Sequence, residues 1–268
     1  METIDITEKE FRQFQRFIYD AAGITLAPSK KSLVTGRLAK RLQHYHLHSY
    51  ADYFALLTSG AAHDEVQMAI DLLTTNETYF FREPQHFDLL REHALATHHH
   101  TEVFRVWSAA CSTGEEAFSI AMVLADCLGH APWEVIGTDI SARVVHAAAT
   151  GHYTMERARH VPPDYLHRFC LKGIGDQAGT LLIDRQLRNR VHFRQANLNE
   201  PLPELGHFDV IFLRNVMIYF NEETKRQVVA RVVSLLKPGG HFYIGHSESL
   251  HNLIDSVSLL GPSVYRKP

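Results

Sequence analysis

The chain has 268 residues, 45% of them hydrophobic and 21% charged, with a formal net charge of -3. That length holds one large domain or two modest ones, either able to bury a real core. The charge balance excludes broad nucleic-acid affinity from charge alone, no apolar run reaches the ~20 residues of a membrane span, and no signal-peptide pattern opens the chain.

From Thr7 to Thr75 the pattern is helical. Thr7 and Glu10 have capping-box spacing, with Phe11, Phe14 and Ile18 on one face behind them. After Gly23 and Pro28 a second helix begins near Ser29 and carries an apolar stripe of Val34, Leu38 and Leu42. Lys30, Arg37, Lys40 and Arg41 gather beside that stripe, and no acidic residue lies between Ala21 and Tyr50 to balance them. A one-signed stripe is either a solvated face or a docking face for an acidic protein surface. Ser49 opens a third helix, and Asp64 a fourth that runs to Leu73.

A further helix, Gln85 to Ala96, follows Pro84, and strands then alternate with helices. Strand Val103–Ala109 leads to helix Glu116–Leu128, and strand Glu134–Thr138 to a helix opened by Ser141 and closed near Gly151. Strand Phe208–Leu213 leads to helix Glu222–Leu236, which stops at Pro238-Gly239-Gly240 before strand His241–Gly245. This alternation predicts a parallel sheet covered on both faces. Between Gly151 and Gln195 the rhythm breaks at Pro162-Pro163, a glycine loop from Gly173 to Gly179, and two short β-rich runs, Thr180–Asp184 and Arg190–Arg194. These predict a small antiparallel insertion at about 152–195.

The cysteines, Cys111, Cys127 and Cys170, are odd in number and far apart, which fits a reduced cytoplasmic chain. His44, His46 and His48 alternate and cannot share a helix face. Neither they nor His98-His99-His100 have carboxylate or cysteine partners, so no metal site is expected.

Three strands end in polar residues, at the edge where open α/β sheets bind cofactors. The turn after the first has a single glycine, Gly114, followed by Glu115 and Glu116. A dinucleotide site needs several glycines so that a pyrophosphate can approach the helix N-terminus. Two carboxylates there repel a phosphate and suit a phosphate-free cation such as S-adenosyl-L-methionine. Asp139, ending the second strand, is placed to reach ribose hydroxyls or to cap the next helix. The Asn197 amide could pair with an adenine edge. Arg214-Asn215 closes the third strand, and a buried apolar strand does not end in such a pair without a partner.

Thr74-Thr-Asn-Glu-Thr-Tyr-Phe-Phe-Arg-Glu83, Trp107-Ser-Ala-Ala-Cys-Ser-Thr-Gly-Glu-Glu116 and Arg214-Asn-Val-Met-Ile-Tyr-Phe220 resemble the signatures of the chemotaxis receptor glutamate O-methyltransferases. So do Leu236-Lys-Pro-Gly-Gly240 and Gly245-His-Ser-Glu-Ser249. The resemblance implies an all-α N-terminal receptor-docking domain over 1–75, a connecting segment and helix over 76–102, and a Rossmann-like class I methyltransferase sheet over 103–268 with its β insertion. It implies that Asn76, Thr78 and Arg82 reach S-adenosyl-L-methionine, that Glu116 serves its methionine end and Asp139 its ribose, and that Asn197, Leu198, Arg214 and Asn215 complete the contacts. Arg82 and Tyr219 would lie nearest the transferred methyl, and S-adenosyl-L-homocysteine would be the product. The acceptor would be a glutamate of a methyl-accepting chemoreceptor, whose helical cytoplasmic domain meets Lys30, Arg37, Lys40 and Arg41. The gap Asp176-Gln-Ala178 resembles the loop of members that hold a C-terminal receptor peptide. A cytoplasmic monomer without nucleic-acid partner or membrane insertion is expected. Methylation of another carboxylate and a non-catalytic receptor-binding domain are the alternative readings.

Overall fold

A computed structural model describes residues 4–99 and 102–268. His100 of the histidine run lies outside them. The chain divides into two compact units, one running to Thr75 and including Tyr219–Thr224, the other comprising Asn76–Ile218 and Lys225–Pro268.

The first unit carries helices α1 (Glu8–Ala22), α2 (Lys31–His44), α3 (Tyr50–Thr58) and α4 (His63–Leu73). The capping box forms: the Thr7 hydroxyl accepts from the Glu10 amide, and Glu10 accepts from the Thr7 amide at 2.7 Å. Glu10 also accepts from the Ala51 amide at 2.8 Å, so one carboxylate serves the starts of α1 and α3. Phe14, fully buried, meets Tyr50 edge-on and stacks on Tyr53, while Val34, Leu38 and Leu42 bring α2 onto the same core. Glu65, 4% exposed, accepts from Arg41, Tyr45 and Tyr53, and this network ties α2 and α3 to α4. The later segment joins through the Thr25 amide, which donates to the Tyr219 carbonyl at 2.8 Å.

The second unit opens with α5 (Gln85–Thr97), β1 (Phe104–Ser108), α6 (Glu115–Leu128), β2 (Trp133–Asp139) and α7 (Ala142–Thr150). Then come β3 (His152–Thr154), α8 (Pro163–Phe169), β4 (Cys170–Lys172), β5 (Thr180–Ile183), the one-turn α9 (Arg185–Arg188) and β6 (Val191–Gln195). The chain ends with β7 (Phe208–Leu213), α10 (Glu222–Ser234), β8 (Leu236–Ile244), β9 (Ser258–Gly261) and β10 (Val264–Arg266). The large sheet has the order β6-β2-β1-β7-β8-β10-β9, parallel from β6 to β8 and antiparallel beyond. Its order reverses between β1 and β7, which opens a crevice at the carboxyl ends of β1, β2 and β7. Val106, Val135, Val210 and Phe212 fill the core at the sheet, and α6 is apolar nearly all round because it is buried on several sides. Among the described residues no helix is long and apolar enough to cross a membrane.

Two sequence expectations need correction, and one element is new. The run Arg190–Arg194 belongs to β6, which pairs in parallel with β2 as an edge of the large sheet; the insertion proper is the antiparallel sheet β3-β5-β4. Alternation marks a strand but does not name its partner. Lys237-Pro-Gly-Gly240 does not end a helix ahead of a strand but lies within β8, where the pairing register shifts between Phe208 and Val210 and Gly239 takes φ 78°. The hairpin β9–β10 went unforeseen, because Leu259 and Leu260 are exposed and show no buried-face alternation.

Candidate functional site

The turn from β1 into α6 is held by its neighbours. The Ala109 amide donates to the Phe212 carbonyl of β7 at 2.8 Å, and the Cys111 amide to the Thr138 carbonyl of β2 at 2.9 Å. Gly114 adopts φ 92°, and a Cβ there would lie 2.8 Å from the Ala148 Cβ and 2.9 Å from the Tyr153 hydroxyl. Only glycine can make this turn without moving α7 or β3.

Glu115 and Glu116 diverge. Glu115, wholly buried, turns to the insertion, where its carboxylate pairs with Arg157 (Nε–Oε1 2.6 Å) and accepts from Thr113. The expectation of two carboxylates facing a ligand is therefore reduced to one. Glu116 accepts from the Ser108 hydroxyl at 2.7 Å and lies 3.2 Å from the Arg214 guanidinium. Burial holds its carboxyl above the ordinary range, opposed by Arg214 and the Ser108 hydrogen bond.

Arg214, with its side chain 2% exposed, sits between two carboxylates, Glu116 and Glu83, the latter at 3.1 Å. It also donates to the Arg82 carbonyl at 2.5 Å. The next residue, Asn215, has φ 59°, and Glu248 fixes that turn. Glu248 Oε2 accepts from the Asn215 and Gly245 amides (2.9 and 2.7 Å), and Oε1 accepts from the Met217 amide (2.8 Å). The Asn215 side chain reaches Glu83 Oε1 at 3.3 Å.

Asp139 accepts from the Ser112 amide (2.9 Å) and the Ser141 amide (3.0 Å). These two amides fix the direction of the Asp139 carboxylate at the end of β2. Ser141 itself caps α7, so the capping role does not fall to Asp139. The Ala196 amide donates to the Asp139 carbonyl at 3.0 Å, bringing Asn197 and Leu198 to the end of β2. The Asn197 amide oxygen accepts from Asn199 N–H, and the Leu198 carbonyl accepts from Arg231. On the other side the Ser112 hydroxyl donates to the Asn76 carbonyl at 2.9 Å. Thr78 lies two residues on and is half-buried.

Arg82 donates to the Glu77 carbonyl at 3.2 Å and lies 5.6 Å from the Tyr79 ring centre, which leaves donors of its guanidinium for a ligand. Its neighbours Phe81 and Glu83 have φ values of 55° and 57°, and Ser112 of 50°. Left-handed non-glycine residues gathered around one site are strain that the surrounding structure sustains. Tyr219 falls in the helical unit.

The structure thus brings Glu116, Asp139, Arg214, Asn215, Asn76 and the Asn197-Leu198 pair to the carboxyl edge of the large sheet. Sequence reasoning missed Glu83 and Glu248 as members. Both stood inside motifs that had been singled out, but nothing in spacing shows a carboxylate turned onto backbone amides. It also missed His86, buried beside Glu83, whose ring burial pushes down to about 3 with help from Arg214 and His246.

The basic stripe is divided in the structure. Arg37 donates to the Leu73 and Thr74 carbonyls (3.1 and 2.8 Å), and Arg41 forms a paired contact with Glu65. Both hold α2 against α4, whereas Lys30 and Lys40 are exposed. The acidic balance missing from α2 itself comes from α4.

Comparison with known proteins now bears on this geometry. The family described as CheR methyltransferase, all-alpha domain, matches residues 9–74, and CheR methyltransferase, SAM binding domain, matches residues 76–265. A chemotaxis protein methyltransferase of Salmonella typhimurium is 42% identical over 97% of this chain and 90% of its own length. One from Escherichia coli is 42% identical over 98% and 92%, and chemotaxis protein methyltransferase 2 of Pseudomonas aeruginosa is 41% identical over 97% and 93%. With both family domains matched in order over nearly its whole length, the chain belongs to the CheR methyltransferase family.

Proposed function

We propose that this chain transfers a methyl group from S-adenosyl-L-methionine to glutamate side chains of chemoreceptors, forming methyl esters. The observation that carries the reading is Glu116, a carboxylate fixed by Ser108 at the carboxyl end of β1 where a phosphate-binding fold would present bare backbone amides. A phosphate-free cationic nucleoside fits such a site; a pyrophosphate does not.

The cofactor fits the residues present. Glu116 suits the ammonium of the methionine end, and Asp139, aimed by two amides, suits the ribose hydroxyls. Asn197 and Leu198 would line the adenine side, and Asn76, Thr78, Arg214 and Asn215 would complete the contacts. The Arg214 Nε–H is buried without a hydrogen-bond partner, a sign of a site shaped for a further acceptor. When bound, S-adenosyl-L-methionine supplies an electrophilic methyl on a positively charged sulfur.

The residues have little proton chemistry to do. A glutamate acceptor, with a reference pKa of about 4.3, is already ionised near neutrality, so no general base is needed. Its solvated carboxylate is a poor nucleophile, and the protein's task is to remove water and align it. Arg82 orients that carboxylate through its planar fork, and too tight a grip would lower its nucleophilicity. The family resemblance would give Tyr219 the place nearest the transferred methyl.

The test is transfer of radiolabelled methyl from the cofactor to purified receptors. Base-labile label on receptor glutamates is the expected result; no transfer despite tight cofactor binding would sink the catalytic reading.

The receptor's helical cytoplasmic domain docks on Lys30 and Lys40. Reversing both charges should raise the receptor KM about tenfold, and more at low salt, while the cofactor Kd stays unchanged. Arg37 and Arg41 are unsuitable for this test, because reversing them breaks contacts inside the helical unit. An unchanged KM would move the docking face elsewhere.

The insertion offers a second contact. Its sheet has the order β3-β5-β4, so β4 is an edge strand open to pairing. Beside it a groove of about 430 Å³ is lined by Leu171, Ile174, Gln177 and Leu182, with Ile174 82% exposed. This supports capture of a receptor's C-terminal peptide as an added strand. The protein acts as a monomer in the cytoplasm.

A further inference from the structure

Glu83, His86 and His246 come together from two distant stretches of chain. Each offers a donor atom within 4.8 Å of the others. Glu83 Oε2 lies 3.5 Å from His86 Nδ1 and 3.8 Å from His246 Nε2. The rings of His86 and His246 meet at 5.1 Å between centres and 81° between planes, so that they converge on a common region rather than stack.

Three features point to a ligand. His86 is 1% exposed, and neither of its ring nitrogens has a hydrogen-bond partner. Glu83 Oε2 is buried beside it, its charge met from the other side by the Arg214 guanidinium at 3.1 Å. Buried polar atoms left unmatched cost free energy, and an ion that they bind removes that cost. Glu83 and His86 also stand three residues apart across the start of α5, Glu83 in the turn before it and His86 in its first turn.

We propose that Glu83, His86 and His246 bind a divalent transition-metal ion of the zinc class. The donor set of two imidazoles and one carboxylate suits zinc, cobalt or nickel, and disfavours magnesium or calcium, which take oxygen ligands. Tetrahedral bonds of about 2.0–2.1 Å separate ligand atoms by roughly 3.3 Å. The trio therefore needs a small inward movement, and His246, 48% exposed on its side chain, is free to make it. Its exposure also leaves a position for water on the ion. Arg214 lies 3.1 Å from the same Glu83 oxygen. Ion and guanidinium compete for one carboxylate, which keeps this affinity below that of a closed structural zinc site.

The inference is independent of methyl transfer, because binding is read without cofactor or receptor. The probe is cobalt chloride titrated into the full-length protein, followed by visible absorption and then by displacement with zinc. Because the chain carries 19 histidines, the signal is the difference between wild type and single variants. Wild type should show the intense visible bands of low-coordinate cobalt at one equivalent, and an exposed-histidine control, His44→Ala, should match it. His246→Ala should bind at least tenfold more weakly and lose the bands. Glu83→Gln should lose them too, and thermal melts establish that each variant is folded. Wild-type and His246→Ala titrations that superimpose, or only the weak bands of hexa-aqua cobalt, would overturn the proposal.

Discussion

Replacing Arg214 with methionine is expected to lower the unfolding free energy by about 3–5 kcal/mol, the usual consequence of removing one member of a buried ion pair. The side chain is 2% exposed and stands between Glu83 and Glu116, so its loss leaves two carboxylates facing each other without a counter-charge. Thermal unfolding should drop by roughly 10 °C. The effect should depend on pH in a definite sense. Glu116 already has its carboxyl raised by burial, with Arg214 opposing the rise. Without Arg214 it rises further, so the folded variant keeps a proton that the unfolded chain releases near its ordinary value of about 4.3. Stability then falls as pH increases from that value through the folded one, and the deficit against wild type should be greatest at neutral pH and shrink in acid. A deficit independent of pH would mean that Arg214 acts through packing on Phe87 and Phe212 instead.

Arg82→Ala should act on rate rather than on folding. Its guanidinium makes only weak contacts within its own loop, to the Glu77 carbonyl and the Tyr79 ring, so stability should change little. Single-turnover methyl transfer should slow about 10²–10³-fold, the range for losing one preorganised donor at a reacting group. The cofactor Kd measured by calorimetry should change far less. Arg82→Lys should not restore the rate, because an ammonium cannot offer the planar pair of donors that a carboxylate accepts. Equal losses in rate and affinity would reassign Arg82 to cofactor binding alone.

The helices and central strands were legible because their signals are local. The capping box at Thr7 and Glu10, the stripe Val34, Leu38 and Leu42, and strand Phe208–Leu213 depend on neighbours within a few residues. The Glu116 and Asp139 positions were legible for a related reason, since a strand's end can be located once its apolar run is known. What stayed hidden depends on pairing across the chain. β6 joins the large sheet through contacts with β2, more than fifty residues earlier, and its alternation would have suited either sheet. Glu65 neutralises Arg41 from 24 residues away, so a basic stripe in sequence became an internal tie in the fold. Glu115 and Glu116 read as equivalent neighbours, yet successive helical positions face about 100° apart, and Arg157 claims one of them.

The tie between Arg157 and Glu115 also governs how this enzyme could be re-engineered. Tyr153 and Arg157 reach from the insertion to the Thr113 carbonyl and hydroxyl at 2.7 and 2.9 Å, and Arg157 supplies the counter-ion of a wholly buried glutamate. A chimera that grafts another protein's segment onto residues 152–183 must reproduce both side chains, or it strands an anion beneath the first turn of α6. Trimming the segment to create a minimal transferase would meet the same obstacle, so the insertion and the turn between β1 and α6 have to be exchanged as a unit.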